Sequence, residues 1–112
     1  MGYSTYYQLD VVDDSVDIFS ILSNEEMLEK IGFSGVNYAI DEYGYGIDCV
    51  SWYGYDEEMK ELSKEYPEIV FELCGEGEDP GGDLWKAYYK GGKGKKYQAI
   101  ITYPEFSEND LE

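Results

Sequence analysis

The chain has 112 residues, of which 43% are hydrophobic, so we expect one packed domain with a single core. It carries 25 acidic residues against eight lysines, with no arginine and no histidine, and its net charge is −17. A field of this sign repels nucleic acid and anionic lipid and attracts basic proteins, which disfavours direct binding to DNA or RNA. The absence of histidine removes the commonest general acid or base, so we expect a binding protein rather than an enzyme.

Neither a membrane anchor nor a cofactor site is expected from the sequence. No run approaches the roughly 20 apolar residues of a membrane-spanning helix, and the opening MGYSTYYQLD lacks the basic flank and apolar core of a signal peptide. Cys49 and Cys74 are the only cysteines and form no CxxC motif, which favours two buried thiols over a disulfide or a zinc site. We therefore expect a cytoplasmic protein without metal or other cofactor.

The first half of the chain predicts a strand, a broken helix and a hairpin. Residues 3–12 alternate in the manner of a central strand. Residues 16–31 have helical periodicity, and Ser23 with Glu26 matches a capping box, which predicts that a second helix begins at Ser23 and ends at Gly32. Residues 36–41 and 47–53 predict two short strands joined through the glycines of EYGYG.

The second half predicts a helix, a strand and a final hairpin. A helical face begins at Tyr55, with Asp56 as the predicted N-cap, and Pro67 ends it. A strand follows over 69–74, and the composition of GEGEDPGGD predicts a loop over 75–83. Two further strands, 83–90 and 95–103, are predicted to pair around GGKG.

This order of elements predicts an α+β fold of the ferredoxin-like βαββαβ type. Such a fold has an antiparallel sheet with its helices on one face and the strand order 4-1-3-2, here extended by a C-terminal hairpin. We expect a single ferredoxin-like domain over residues 1–105 and an acidic C-terminal tail over 106–112.

The run from Ser51 to Lys93 resembles a known family. It contains SWY, then EEMKELSKEYPEIVFELCGEGE, then GGDLWKAYYKGGK, and it is similar to the ferredoxin-like YubB-type family of plasmid and phage proteins. The opening MGYSTYYQLD is similar to small uncharacterised phage and bacterial proteins that share this second half. The resemblance implies a fold and a mobile-element setting, and it supplies no catalytic residues.

Two acidic stretches and two tyrosines are the candidate partner-binding residues. The loop carboxylates lack the spacing of a calcium site, so a glycine-rich hairpin loop is the favoured reading of 75–83. Tyrosine supplies rigid contact area in protein recognition. The candidates are Asp56, Glu57, Glu58, Glu61, Glu65 and Glu68 on the helix and its exit, Glu76, Glu78, Asp79 and Asp83 in the loop, and Tyr43 and Tyr45.

The sequence favours an acidic, tyrosine-rich protein that engages a basic protein surface. A host nucleic-acid-binding or defence protein is the expected partner, in the manner of anti-CRISPR and DNA-mimic inhibitors. Area scaling gives about 370 Å² per net charge, against about 110 Å² on B-DNA, so mimicry requires the acids to cluster. Two alternatives stay open: a module that self-associates through its sheet, as in a homodimer, and a nucleic-acid binder that uses the five lysines of residues 86–96.

Overall fold

The structure, a computed structural model, describes residues 4–13, 16–77, 84–100 and 103–112. It is an α+β fold in which four antiparallel strands form one sheet in the order β1-β2-β3-β4. Its elements are β1 Thr5–Val11, α1 Ile18–Leu22, α2 Glu25–Ile31, α3 Tyr55–Glu65, β2 Phe71–Gly77, β3 Leu84–Lys90, β4 Lys93–Gln98 and a short 3-10 turn Glu108–Asp110.

The sheet is buried on one face and open on the other. Burial alternates strictly along β1, as expected when side chains point to opposite faces in turn. The register places Leu9 opposite Leu73 and Leu73 opposite Ala87, and all three are 0–1% exposed. β1 and β2 confirm strands within 3–12 and 69–74, but β1 lies at an edge of the sheet rather than in its centre, and β2 continues to Gly77, so residues 75–77 are strand and not loop. β3 with β4 confirms the C-terminal hairpin, whose second strand begins earlier than predicted, at Lys93, and ends at Gln98.

Helix α3 packs on the buried face against β3 and β4. Tyr55 stacks on Trp85 with 5.1 Å between ring centroids, and the buried Tyr89 donates its hydroxyl to Asp56 at 2.9 Å. The buried side chains of α1 and α2 belong to the same core. The sheet and helices therefore enclose one hydrophobic interior.

Two of the predicted helix ends are wrong and one is confirmed. Asn24, rather than Ser23, caps α2, because its side chain accepts from the Met27 amide. Gly54 precedes α3, so Asp56 lies inside the first turn instead of capping it. Gly32 ends α2 with φ 76°, the left-handed conformation that favours glycine.

The predicted strands 36–41 and 47–53 are wrong as regular strands. Within these fully described residues the structure has only isolated bridges, one of which joins Thr5 and Val50. The physical reason is a local turn, in which Asp41 accepts from the amides of Tyr43 and Tyr45. The segment instead lines the edge of β1, where Gly44 accepts from the Leu9 amide at 2.7 Å.

Candidate functional site

Four of the eight lysines lie on the side of the sheet opposite the helix acids. Residues 25–31 and 55–68 hold nine acids and three lysines, and α3 covers the buried face. By strand alternation, Lys86 and Lys90 point away from that face, as do their β4 neighbours Lys93 and Lys95. We call the outer surface of α2, α3 and the exit of α3 the acidic helix face, and the opposite side the open sheet face.

Two of the predicted binding acids hold the scaffold together. Glu58 accepts hydrogen bonds from the Ser34 hydroxyl at 2.9 Å and from the Trp52 indole N–H at 3.0 Å. Asp56 accepts from Tyr89 and forms an ion pair with Lys60 at 3.0 Å. These carboxylates are committed to contacts within the protein.

The same contacts shift the pKa values of the half-exposed Asp56 and the buried Tyr89. Partial burial favours a higher pKa for Asp56, but hydrogen bonds from Lys60 and Tyr89 outweigh it, so the pKa lies below its ordinary value. Burial first, and then the hydrogen bond to Asp56, raise the pKa of Tyr89. The carboxylate is therefore ionised and the phenol neutral across the physiological range.

Four further acids lie along α3 and its exit, on the surface. Glu61 pairs with Lys64 at 3.0 Å, and Glu65 pairs with Lys30 of α2 at 3.6 Å. These pairs are exposed, so each contributes little and can be exchanged for another partner. Glu57 and Glu68 are exposed, and in the described part of the chain neither has an ion pair.

Glu76, the one described acid of the predicted loop over 75–83, is not part of the acidic helix face. Glu76 is exposed on the outward side of β2, so it lies on the open sheet face. The predicted candidates Glu78, Asp79 and Asp83 lie outside the described residues. The structure thus brings the helix acids together and separates Glu76 from them.

Tyr43 and Tyr45 project from the turn beside β1. They are 53% and 59% exposed, and Tyr43 stacks on Phe19 of α1 with 4.9 Å between ring centroids. Both are therefore available for contact, on a turn that Asp41 holds in place.

Sequence reasoning missed a small acidic groove between α2 and this loop. It has a volume of about 310 Å³, and three carboxylates, from Glu25, Glu29 and Glu42, lie in its wall beside apolar side chains. Its apolar lining comes from Leu22, Leu28, Phe33 and Val36. The sequence signal was the pair of acids in the first turn of α2, which also favours the helix dipole. A lysine or arginine stem with its charged head matches such a groove.

The open sheet face carries a larger groove of about 880 Å³. Aromatic and aliphatic side chains line it, among them Tyr6, Leu84, Tyr88 and Tyr97, together with Lys86. Tyr88 donates its hydroxyl to Glu72 at 2.7 Å and meets Tyr97 edge to face. The groove therefore has a rigid aromatic floor with lysines on one side.

The described residues offer little reactive chemistry. Burial raises the pKa of the Cys74 thiol, with the neighbouring Glu72 acting in the same direction, so the thiol is protonated at neutral pH and a weak nucleophile. Both cysteines are free, but Cys49 is exposed, which corrects the prediction that both thiols are buried. Within 4–13, 16–77, 84–100 and 103–112, no three acidic or cysteine side chains are grouped to hold a metal ion.

Among the helices of the described segments, none combines the length and apolarity that crossing a membrane requires. No protein-family model, curated protein or solved structure matches this chain.

Proposed function

We propose that this chain is a non-enzymatic binding protein that presents the acidic helix face to a basic protein surface. The observation that carries the proposal is the separation of charge across the sheet. Nine acids and three lysines lie in residues 25–31 and 55–68, whereas four lysines lie on the open sheet face. Complementary potentials of this kind steer association and select the partner.

The exposed carboxylates, rather than the whole surface, would make the contact. The surface of 7602 Å² carries a net charge of −17, or about 450 Å² per charge, against about 110 Å² on B-DNA. Averaged over the molecule, the charge is therefore too dilute to imitate DNA. The binding acids in this proposal are Glu57, Glu61, Glu65 and Glu68, with the groove acids Glu25, Glu29 and Glu42 and the tyrosines Tyr43 and Tyr45 beside them. Asp56 and Glu58 support this face from within.

We extend the proposal to the biological setting of the protein. The resemblance of residues 51–93 to YubB-type proteins favours a phage or plasmid protein that acts in the host cytoplasm. A host nucleic-acid-binding or defence protein, with a basic channel, is then the partner, as for an anti-CRISPR inhibitor.

The Thr5–Val50 and Ile40–Gly46 bridges lie where a ferredoxin-like sheet would place its two remaining strands, which supports a reduced form of that fold.

A pair of matched charge variants tests the proposal. One replaces the four glutamates of α3 and its exit with glutamine, at positions 57, 61, 65 and 68. The control neutralises the four acids of residues 76–83, at positions 76, 78, 79 and 83, so both variants change the net charge from −17 to −13.

Each protein is tagged and used to capture partners from host lysate, with washes at rising salt. We expect the helix variant to lose the captured basic protein and the control variant to retain it, because position rather than total charge decides binding. If both variants lost the captured protein equally, binding would depend on total charge and not on its position, which would contradict the proposal.

The open sheet face supports a second candidate, single-stranded nucleic acid. Tyr88 and Tyr97 can stack on bases while Lys86, Lys90 and Lys95 contact phosphates. Three acids on the same face and the net charge of −17 oppose this. A gel shift with single-stranded DNA and RNA at about 20 mM salt tests it, since binding that depends on phosphates is strongest there.

A further inference from the structure

We propose that the groove on the open sheet face binds the C-terminal segment of a second copy of this chain. The C-terminal segment, residues 103–112, reads YPEFSENDLE. The inference does not rest on the proposed function, because this groove and the acidic helix face lie on opposite sides of the sheet.

The C-terminal segment exposes three large apolar side chains. Tyr103, Phe106 and Leu111 are 87%, 72% and 67% exposed. Its hydrogen bonds in the described structure are local, as where Ser107 caps the 3-10 turn Glu108–Asp110. Large apolar side chains held in water in this number are typical of a segment that docks elsewhere.

The groove matches that segment in shape and polarity. Its floor is apolar and aromatic, with Leu84 at 39% and Tyr97 at 56% exposure. Its volume of about 880 Å³ is within the range of roughly 300–1,000 Å³ that binding pockets have. Ten extended residues reach about 30 Å, which exceeds the width of about 14 Å across four strands.

The charges are complementary along the β3–β4 side. Lys86, Lys90, Lys93 and Lys95 point outward there, and the segment carries the four acids Glu105, Glu108, Asp110 and Glu112. The acids of the open sheet face, Asp10, Glu72 and Glu76, lie on the β1–β2 side, where Glu76 lines the groove. The segment would therefore lie over β3 and β4 rather than over the acidic half.

The occupant is assigned to a second copy because the chain leaves its own groove empty of these side chains. Ala99 lines the groove, yet Tyr103 and Phe106 beyond it remain exposed. Reciprocal exchange of the two segments closes a dimer with two-fold symmetry, so no open chain of copies follows. The acidic helix faces point outward in such a dimer, and salt screens their repulsion.

Sedimentation equilibrium of the full chain tests the assignment. We expect a reversible dimer at micromolar concentrations. The segment variant carries Tyr103→Ser with Phe106→Ser, and the groove variant carries Tyr97→Ser with Lys95→Ser. Each should weaken dimerisation at least tenfold, because the dimer has two contacts between a segment and a groove, and each variant alters one side of both contacts. Tyr53→Ser, at an 80% exposed tyrosine outside groove and segment, should leave it unchanged.

The decisive arm is an equimolar mixture of the segment variant and the groove variant. A mixed dimer keeps one native segment in one native groove, so the mixture should associate more tightly than either variant alone. Circular dichroism of each variant confirms the fold, which these exposed positions should not disturb. A monomer at all concentrations, unaffected dimerisation in the variants, or a mixture no tighter than its components would each overturn the proposal.

Discussion

Glu58 gives the sharpest division between a scaffold acid and a surface acid. The structure predicts that Glu58→Ala destabilises the protein, because the Trp52 indole N–H loses its acceptor in a side chain that is only 3% exposed. An unsatisfied buried donor costs about 1–3 kcal/mol. The bonds from Ser34 are exposed, so water replaces them and their loss adds about 0.5 kcal/mol. The total is about 1.5–3.5 kcal/mol, and the middle of that range corresponds to a fall in Tm of roughly 10 °C for a domain of this size.

The matched control is Glu57→Ala on the same helix. Glu57 has the same charge and helix propensity but is exposed, so its replacement should change the free energy of unfolding by less than about 0.5 kcal/mol. Urea denaturation followed by tryptophan fluorescence measures both, since Trp52 reports directly on the contact. Equal stabilities for the two variants would refute the structural role assigned to Glu58.

Four other outcomes follow from the buried face and the thiols. Tyr89→Phe should lower stability by about 1–2 kcal/mol in urea denaturation, because the substitution removes the buried hydroxyl that donates to the Asp56 carboxylate. Unchanged stability would contradict a stabilising role for that hydrogen bond. The pKa of Asp56 is lowered, so its contribution is complete above about pH 4 and is lost as pH falls through the folded-state pKa. The stability gap between wild type and Asp56→Asn should accordingly be smaller at pH 2 than at pH 7, and a constant gap would contradict this sign. Gly75→Ala should lower stability by about 3 kcal/mol in chemical denaturation, since a Cβ there would stand 2.2 Å from the Trp85 indole. A variant as stable as the wild type would contradict this and would show that the indole can move aside. Native labelling with a maleimide should modify Cys49 quickly and Cys74 slowly, as mass spectrometry of the digested product can show, and equal rates would contradict the burial.

Sequence patterns predicted the elements whose signals are local. The alternation in β1 and the glycine that ends α2 at Gly32 are such signals. The prediction of two strands within residues 36–53 was wrong because the apolar residues of this segment reach the core from isolated bridges and turns. Ile40, for example, is fully buried in an irregular segment. Alternation alone does not distinguish such a segment from a short hairpin.

The predicted binding acids have different roles in the structure for the same reason, since local sequence patterns do not show contacts between distant segments. All six helix acids looked equivalent along the chain, but the role of Glu58 depends on Ser34, which is 24 residues away. The assignment of Glu76 to the open sheet face depends on the register between β1 and β2. Contacts between distant segments therefore decided which acids remain available to a partner.

The most direct test of the central claim is the salt dependence of affinity for the captured basic partner. Calorimetry between 50 and 500 mM salt should show the wild type binding at least tenfold more weakly at the higher concentration, because exposed charge pairs are screened. The variant neutralised at positions 57, 61, 65 and 68 should bind weakly throughout, with a much shallower dependence. An affinity that is independent of salt and equal in both proteins would contradict the role assigned to the acidic helix face.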